Sequence, residues 1–484
     1  MAGPDHLAPT AAACCAACGA HAAAVAAAGT YGAQACNVWV WCDPATPACA
    51  PSAGQCWLKH LPSAGAVPPR AGPGVPFTAG VTVPRAHEGA IPAVGTAAAA
   101  AYHTVITAAG PAVHWQSRVH YFWWARVKAA CVAAAGAPGG PPCHMGAFTR
   151  ILHSGAPDNL VGEIPTFVAA PLKTEGGGEG PAPGGGRPPA RRRPPARPGG
   201  GDGGYVVLNR PWAIVQWMRT APPAEPFVLM CEPDHLWLAP LPNPLLLPSP
   251  GGLGGGGGQG APPPPPPRLA AYPFFYIEPA SRAHLPITAH FFAPEAGRGA
   301  PAFTPSLASS IPPIGNSPAL LATPDLAALA PAWDATARAV FDYAPARAAW
   351  GWVLEMYAFA IAATSAGLVG PATPAALFPR LMAQPPWEDG PFPRPGTYLL
   401  HYTYALDYAP NGTATPGQAA DVRAGGWRFD KRDWAAGPPP RGLPLPPAAV
   451  TDAAARRVVE MINEASAGLA GWDEYVASGG ERLR

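Results

Sequence analysis

Two long segments of this chain have no means of building a core, and they dictate how the rest must close. Residues 173–204 contain GGGEGPAPGGGRPPARRRPPARPGGGDGG, and residues 249–268 contain GGLGGGGGQGAPPPPPP. Neither offers periodic apolar side chains, so both are expected as disordered surface loops inserted between folded blocks. The five arginines between Arg187 and Arg197 form a basic run, but no aromatic residue is interleaved for base stacking. A solvated loop is the better reading. Glycine (56) and proline (70) make up about a quarter of the 484 residues, and only 12% are charged. With 31 basic and 29 acidic residues the net charge is +2, which gives no general attraction to nucleic acid or an acidic membrane.

Cysteine is concentrated at one end. Seven of the ten lie before residue 57: Cys14, Cys15, Cys18, Cys36, Cys42, Cys49 and Cys56. This density reads as a disulfide framework in an oxidising compartment. Cys15 and Cys18 form a CxxC, yet no second CxxC or paired histidines follow at zinc spacing. At least three bridges and one leftover cysteine are expected, while Cys131, Cys143 and Cys231 look too scattered to form a staple. No basic n-region followed by an apolar h-region opens the chain. A secretory address would therefore lie outside this sequence, as would any membrane anchor. The apolar run 350–369 is long enough to span, but Glu355 inside it favours a buried helix.

Residues 61–98, rich in Pro, Gly and Ala, read as a linker between a cysteine-rich unit (1–60) and a larger domain (99–478). From residue 102 strand and helix patterns alternate. YHTVITAAG reads as a strand, HWQSRVHYFWWARVKAACVAAAG as a glycine-terminated helix, and MGAFTRIL as a strand. The texture continues through YVVLNRPWAIVQWMR and FVLMCEPDHLWL, and AAARRVVEMINEASAGL closes it with a helix. This is the pattern of an α/β domain with a largely parallel sheet.

The strongest chemical signal is Glu232-Pro233-Asp234-His235, directly after an apolar strand, where open α/β sheets bind ligands. In extended chain Glu232 and Asp234 point the same way and present two carboxylates to one hard cation. Two solvated acids in a turn are the plain alternative. His401, after the strand 398–400, is a remote third ligand or a packing residue. Glu355 sits on an apolar helix, where a carboxylate is costly unless used or paired with an arginine.

Taken together, the segments resemble the plant and green-algal hydroxyproline O-arabinosyltransferase family. The matching blocks are HWQSRVHYFWW, MGAFTRILHSGAPDNL, EIPTFV, YVVLNRPWAIVQW, LMCEPDHLWL, PFFYIEP, IPPIGNSP, WGWVLEMYAFAIA, LMAQPPW, LLHYTYALDY, GGWRFDKR, LPLPP and VVEMINEA. They run in family order over residues 102–475. The resemblance implies an α/β fold of the GT-A glycosyltransferase type, with a mostly parallel central sheet flanked by helices. It implies retaining transfer of L-arabinofuranose from UDP-β-L-arabinofuranose to peptidyl hydroxyproline, with Mn²⁺ dependence and a Golgi setting. Glu232, Asp234 and His401 would be the metal ligands.

Asp234 and Glu355 would be the catalytic carboxylates, Glu355 steadying charge on the sugar ring or orienting the acceptor. Asn316 and Ser317, in the turn-rich IPPIGNSP, would contact the sugar. Thr107, Arg150, Asn209 and Arg210, at strand ends or helix starts, suit uridine and phosphate. A surface salt bridge is the ordinary alternative for each arginine. A peptidyl-serine galactosyltransferase is the neighbouring expectation, and a non-catalytic wall-associated lectin the distant one. Residues 14–59 resemble PAN/Apple modules, which bind protein or carbohydrate.

Overall fold

The computed structural model describes residues 6–27, 36, 38–46, 49, 52–59, 77–81, 97–108, 113–172, 206–246, 266–292, 302–388, 392–417 and 424–480. The insertions expected at 173–204 and 249–268 lie outside these residues, apart from 266–268.

The cysteine-rich unit is a helix, Ala11–Ala27, against a small antiparallel sheet of β1 (Val38–Cys42), β2 (Cys56–Lys59) and β3 (Phe77–Val81), with β1 central. Its core is little more than Trp39, Trp41, Leu58 and the cysteines, too small to be stable unaided. Three disulfides supply the constraint: Cys14–Cys56, Cys18–Cys36 and Cys42–Cys49. Cys15 is the leftover thiol. The linker reading of 61–98 gives way at β3, whose backbone pairs along the whole of β1. A strand as small and bland as FTAGV has no periodicity to announce it.

The larger unit is built on seven strands. They are β4 (Tyr102–Ala108), β5 (Met145–Leu152), β6 (Thr166–Val168), β7 (Phe227–Cys231, joined by a turn to β8, His235–Trp237), β9 (Leu269–Pro273), β10 (Ile314–Ala322) and β11 (Ala376–Leu377). The order is β11-β9-β10-β7-β4-β5-β6. The pairs β4–β5, β5–β6, β4–β7 and β9–β11 are parallel, whereas β10 runs antiparallel to both neighbours. Every residue of β4 is buried, as a central strand covered on both faces requires. The helices His114–Ala135, Asn209–Thr220, Thr323–Asp342, Leu354–Ser365 and Ala453–Gly468 bring Trp115, Trp217 and Trp333 into the core, where each is fully enclosed. The apolar run 350–369 is broken by Gly351, at φ +53°, which ends Ala344–Trp350 before Leu354–Ser365 begins. Among the described residues, no helix is long and apolar enough to cross a membrane.

Two sequence expectations change here. Cys131 and Cys143 do form a disulfide, tying the end of His114–Ala135 to the approach of β5. Twelve residues apart, they are brought together by the reversal that follows Gly136. IPPIGNSP is not a turn: Asn316 and Ser317 lie within the buried strand β10. Pairing across the sheet overrides the local signal of glycine and proline there, with an irregularity in the ladder between Ile314 and Ala319.

Candidate active site

β7 delivers Glu232 to the rim of the sheet, and there the chain reverses. The His235 amide donates to the Glu232 carbonyl at 3.1 Å, closing a turn over Pro233 and Asp234. β8 then pairs with β13 (Leu399–His401), itself flanked by β12 (Met382–Ala383), and the register sets His401 opposite His235. Asp234, His235 and His401 thus converge, all buried, with one potential ligand atom from each within 4.8 Å of the others. His401 Nε2 donates to Asp234 Oδ2 at 3.2 Å, and Lys431 Nζ donates to the same oxygen. Burial opposes ionisation of Asp234, but the Lys431 ammonium and His401 outweigh it and hold the carboxyl well below its usual range. Burial, with His401 beside it, pushes the His235 imidazole well below its usual range.

One carboxylate and two imidazoles suit a divalent transition-metal cation, and the orphan atoms agree. Among the described residues His235 Nε2 has no hydrogen-bond partner. The Nδ1 atoms make only long contacts, with the Glu232 amide at 3.3 Å and Gln384 Nε2 at 3.4 Å. Gln384 Oε1, also buried, is unpartnered among the described residues. Its amide carries both a donor and an acceptor, so it can support either tautomer of His401.

Glu232 does not join this cluster. The turn breaks the extended alternation that would have aligned it with Asp234, and its Oε2 instead accepts from Arg210 Nη2 at 2.6 Å. Arg210, at the start of Asn209–Thr220, also approaches Glu355 Oε2 at 3.5 Å. Glu355 is 1% exposed. Burial drives its pKa up to about 8, with Arg210 opposing and Glu232 adding to the rise. An acid, an arginine and a second acid therefore stand beside the Asp234 cluster.

The remaining predicted residues divide. Thr107, Asn316 and Ser317 come together, lining a small cavity with Met230, Cys231 and Trp333 beneath the strand ends. The antiparallel direction of β10 is what brings its first half to the carboxyl end of β7. Arg150 is instead fully buried, bidentate to Asp158 at 2.6 and 2.7 Å and bonded to Thr166 Oγ1. Asn209 accepts from the Leu172 amide at 2.7 Å and donates to the Val206 carbonyl. Both hold loops in place.

Sequence reasoning missed His235, Gln384 and Lys431. His235 was visible as the neighbour of Asp234, and Lys431 as the cation of GGWRFDKR. What aims Lys431 is local. Asp430 caps the short helical turn Lys431–Trp434 and is gripped by Arg428 at 2.5 Å and Arg432 at 2.7 Å. Arg428 follows from β15 (Trp427–Phe429), which pairs with β14 (Leu406–Tyr408).

Comparison with known proteins matches the same blocks. The model of the hydroxyproline O-arabinosyltransferase family N-terminal domain fits residues 102–252 and 265–371, and that of the C-terminal domain fits 398–473. The chain is 38% identical over 358 residues to hydroxyproline O-arabinosyltransferase 1 of Arabidopsis thaliana, covering 74% of this chain and 77% of the relative. It is 37% identical over 359 residues to hydroxyproline O-arabinosyltransferase RDN2 of Medicago truncatula, covering 74% and 78%. With hydroxyproline O-arabinosyltransferase NOD3 of Pisum sativum it shares 36% over 355 residues, 73% and 83% of the two chains. Matched along most of its larger unit, with Asp234, His401 and Lys431 brought to one point at the rim of the sheet, this chain belongs to the hydroxyproline O-arabinosyltransferase family.

Proposed function

We propose that the chain transfers L-arabinofuranose from UDP-β-L-arabinofuranose to the hydroxyl of peptidyl hydroxyproline, with retention at the anomeric carbon, on a GT-A-type fold. The observation that carries this reading is the meeting of Asp234, His235 and His401 with Lys431 at the carboxyl end of β7, in a chain of this family. A mostly parallel sheet with one antiparallel strand beside the site is compatible with that fold.

Asp234 and His401, with His235, would hold Mn²⁺, and Gln384 would fix the His401 ring. The cation supplies neutralisation of the diphosphate that leaves. Lys431 and Arg210 are the side-chain cations that face the same place, and each is tied to an acid in this state. The bond from the sugar carbon to the diphosphate oxygen breaks, and the bond to the hydroxyproline oxygen forms on the same face. The acceptor proton goes to the departing phosphate oxygen. Glu355 is a neutral carboxylic acid near pH 7 in this environment, so it donates and accepts hydrogen bonds. That suits it to orienting sugar or acceptor, rather than to opposing positive charge on the ring. Asn316 and Ser317, with Thr107, line the small cavity beneath and would support the sugar site from below. The disulfides fit a secretory, Golgi-type setting, and the stapled N-terminal unit fits a PAN/Apple-type binding module.

The test is donor profiling with Mn²⁺, a polyhydroxyproline peptide and a panel of UDP-sugars. Pentose addition to hydroxyproline is expected. Transfer from UDP-galactose to serine would replace this reading with the galactosyltransferase one.

A further inference from the structure

Large aromatic side chains are normally enclosed, yet three beside the site are not. Phe275 is 63% exposed, Tyr404 44% and Trp387 37%. They form one continuous row: the Phe275 and Trp387 rings lie 5.7 Å apart, and the Trp387 and Tyr404 rings 5.0 Å, both edge-on. The three come from distant parts of the sequence, so the row is a product of the fold. Tyr276 packs on Phe275 at 5.1 Å, and the Trp387 amide donates to the Gln384 carbonyl at 3.0 Å. Gln384 in turn reaches His401, and His401 reaches Asp234. The row therefore adjoins the candidate metal cluster through Gln384, which Trp387 meets with its backbone and His401 with its ring. Glu388, next to Trp387 in the sequence, pairs with Arg394 at 3.3 Å.

We propose that Phe275, Trp387 and Tyr404 form the acceptor platform, on which a proline- and hydroxyproline-rich segment lies as a polyproline II helix. Such a chain carries no internal hydrogen bonds and presents pyrrolidine rings at a rise of about 3.1 Å per residue, or roughly 9 Å per turn. The two ring steps of 5.7 and 5.0 Å together offer a contact row on the scale of roughly one such turn. Stacking on flat, rigid rings recognises the ring's shape without needing charge, and little entropy is lost on either side. An uncharged, stiff partner is what this surface fits. The proposal rests on the acceptor assigned under the preceding heading, because it names where that acceptor lies.

The test is binding of a fluorescent polyhydroxyproline peptide in EDTA with no donor present, alongside steady-state transfer with Mn²⁺. The triple variant Phe275→Ala, Trp387→Ala, Tyr404→Ala should bind the peptide at least roughly tenfold more weakly. Its acceptor KM should rise in step while its donor KM stays put. Trp387→Phe should recover most of the affinity. If the triple variant proves unstable, Phe275→Ser and Tyr404→Ser, both at exposed rings, should each show part of the same loss. Unchanged peptide affinity and acceptor KM in folded variants would overturn the platform. So would loss of binding to a free arabinoside with peptide binding intact, which would mark a sugar surface. A wild-type protein that binds the peptide through these rings but transfers no pentose would sink the catalytic assignment and leave the platform standing.

Discussion

His401 Nε2 stands 3.2 Å from Asp234 Oδ2 because β13 and β8 pair in the register that sets His401 opposite His235. A strand pairing separated by more than 160 residues thus fixes the distance between two side chains of the candidate metal cluster. Asp234→Asn should lower transfer by about a thousandfold or more, the scale of losing a cation at a departing diphosphate. His401→Ala should weaken Mn²⁺ affinity more than it lowers the saturated rate. Mn²⁺ titrations of activity check both, and full activity in excess EDTA would rule the metal out.

Lys431 Nζ donates to Asp234 Oδ2, an oxygen that a bound cation would have to share with it. Lys431→Met leaves a buried carboxylate with less compensation, which costs on the order of 3 kcal/mol. The sign with pH follows from the depressed Asp234 carboxyl. Its stabilisation is present above the ordinary carboxylate range and is lost as pH falls through the folded value. The deficit of the variant should therefore be full at pH 7 and shrink in acid. Added Mn²⁺ should raise the Tm of Lys431→Met more than that of the wild type. Equal shifts would show that the ammonium and the metal do not share a site.

Glu355 carries the opposite sign. Its carboxyl is raised to about 8 from an ordinary value of 4.5, so the folded state holds a proton that the unfolded state releases. Stability from this group is complete below about 4.5 and declines as pH rises through about 8. Glu355→Gln should remove that slope. It should match the wild type near pH 5 and exceed it at pH 8.5 by up to about 4–5 kcal/mol, measured by denaturant unfolding. A wild-type curve already flat over this range would place the Glu355 proton elsewhere.

The Cys131–Cys143 bridge closes a short loop onto the first residues of β5. Replacing both cysteines by alanine should cost about 3 kcal/mol, from the loop-closure entropy returned to the unfolded chain. Mild reduction of the native protein should lower its Tm by the same route. An unchanged Tm on removal would show that the bridge adds nothing.

Arg150 separates a structural arginine from a ligand-binding one. With its guanidinium enclosed against Asp158 and Thr166, Arg150→Ala leaves Asp158 a poorly compensated acid and should destabilise by about 3–5 kcal/mol. Arg210→Ala should instead raise the donor KM with a smaller effect on Tm. A reversal of these two outcomes would return Arg150 to the donor site.

Local patterns were enough for much of this protein. The strand FVLMC, the helix from His114 to a terminal Gly136, and the disulfide-dense start each follow from side-chain periodicity or cysteine density alone, because those signals act over a few residues. Asp234 and His401 were legible as candidates for the same reason: they follow apolar strands. Their companions were decided by tertiary structure. A four-residue turn sent Glu232 to Arg210 and put His235 in its place. The direction of β10 carried Asn316 and Ser317 from an expected turn into a buried strand. Lys431 reached Asp234 across 197 positions, and three aromatic side chains from separate segments formed one exposed row. Sequence periodicity reports which way a side chain faces within its own element. Which side chains from different elements share one point depends on strand register and sheet order, and only burial of the whole core selects those.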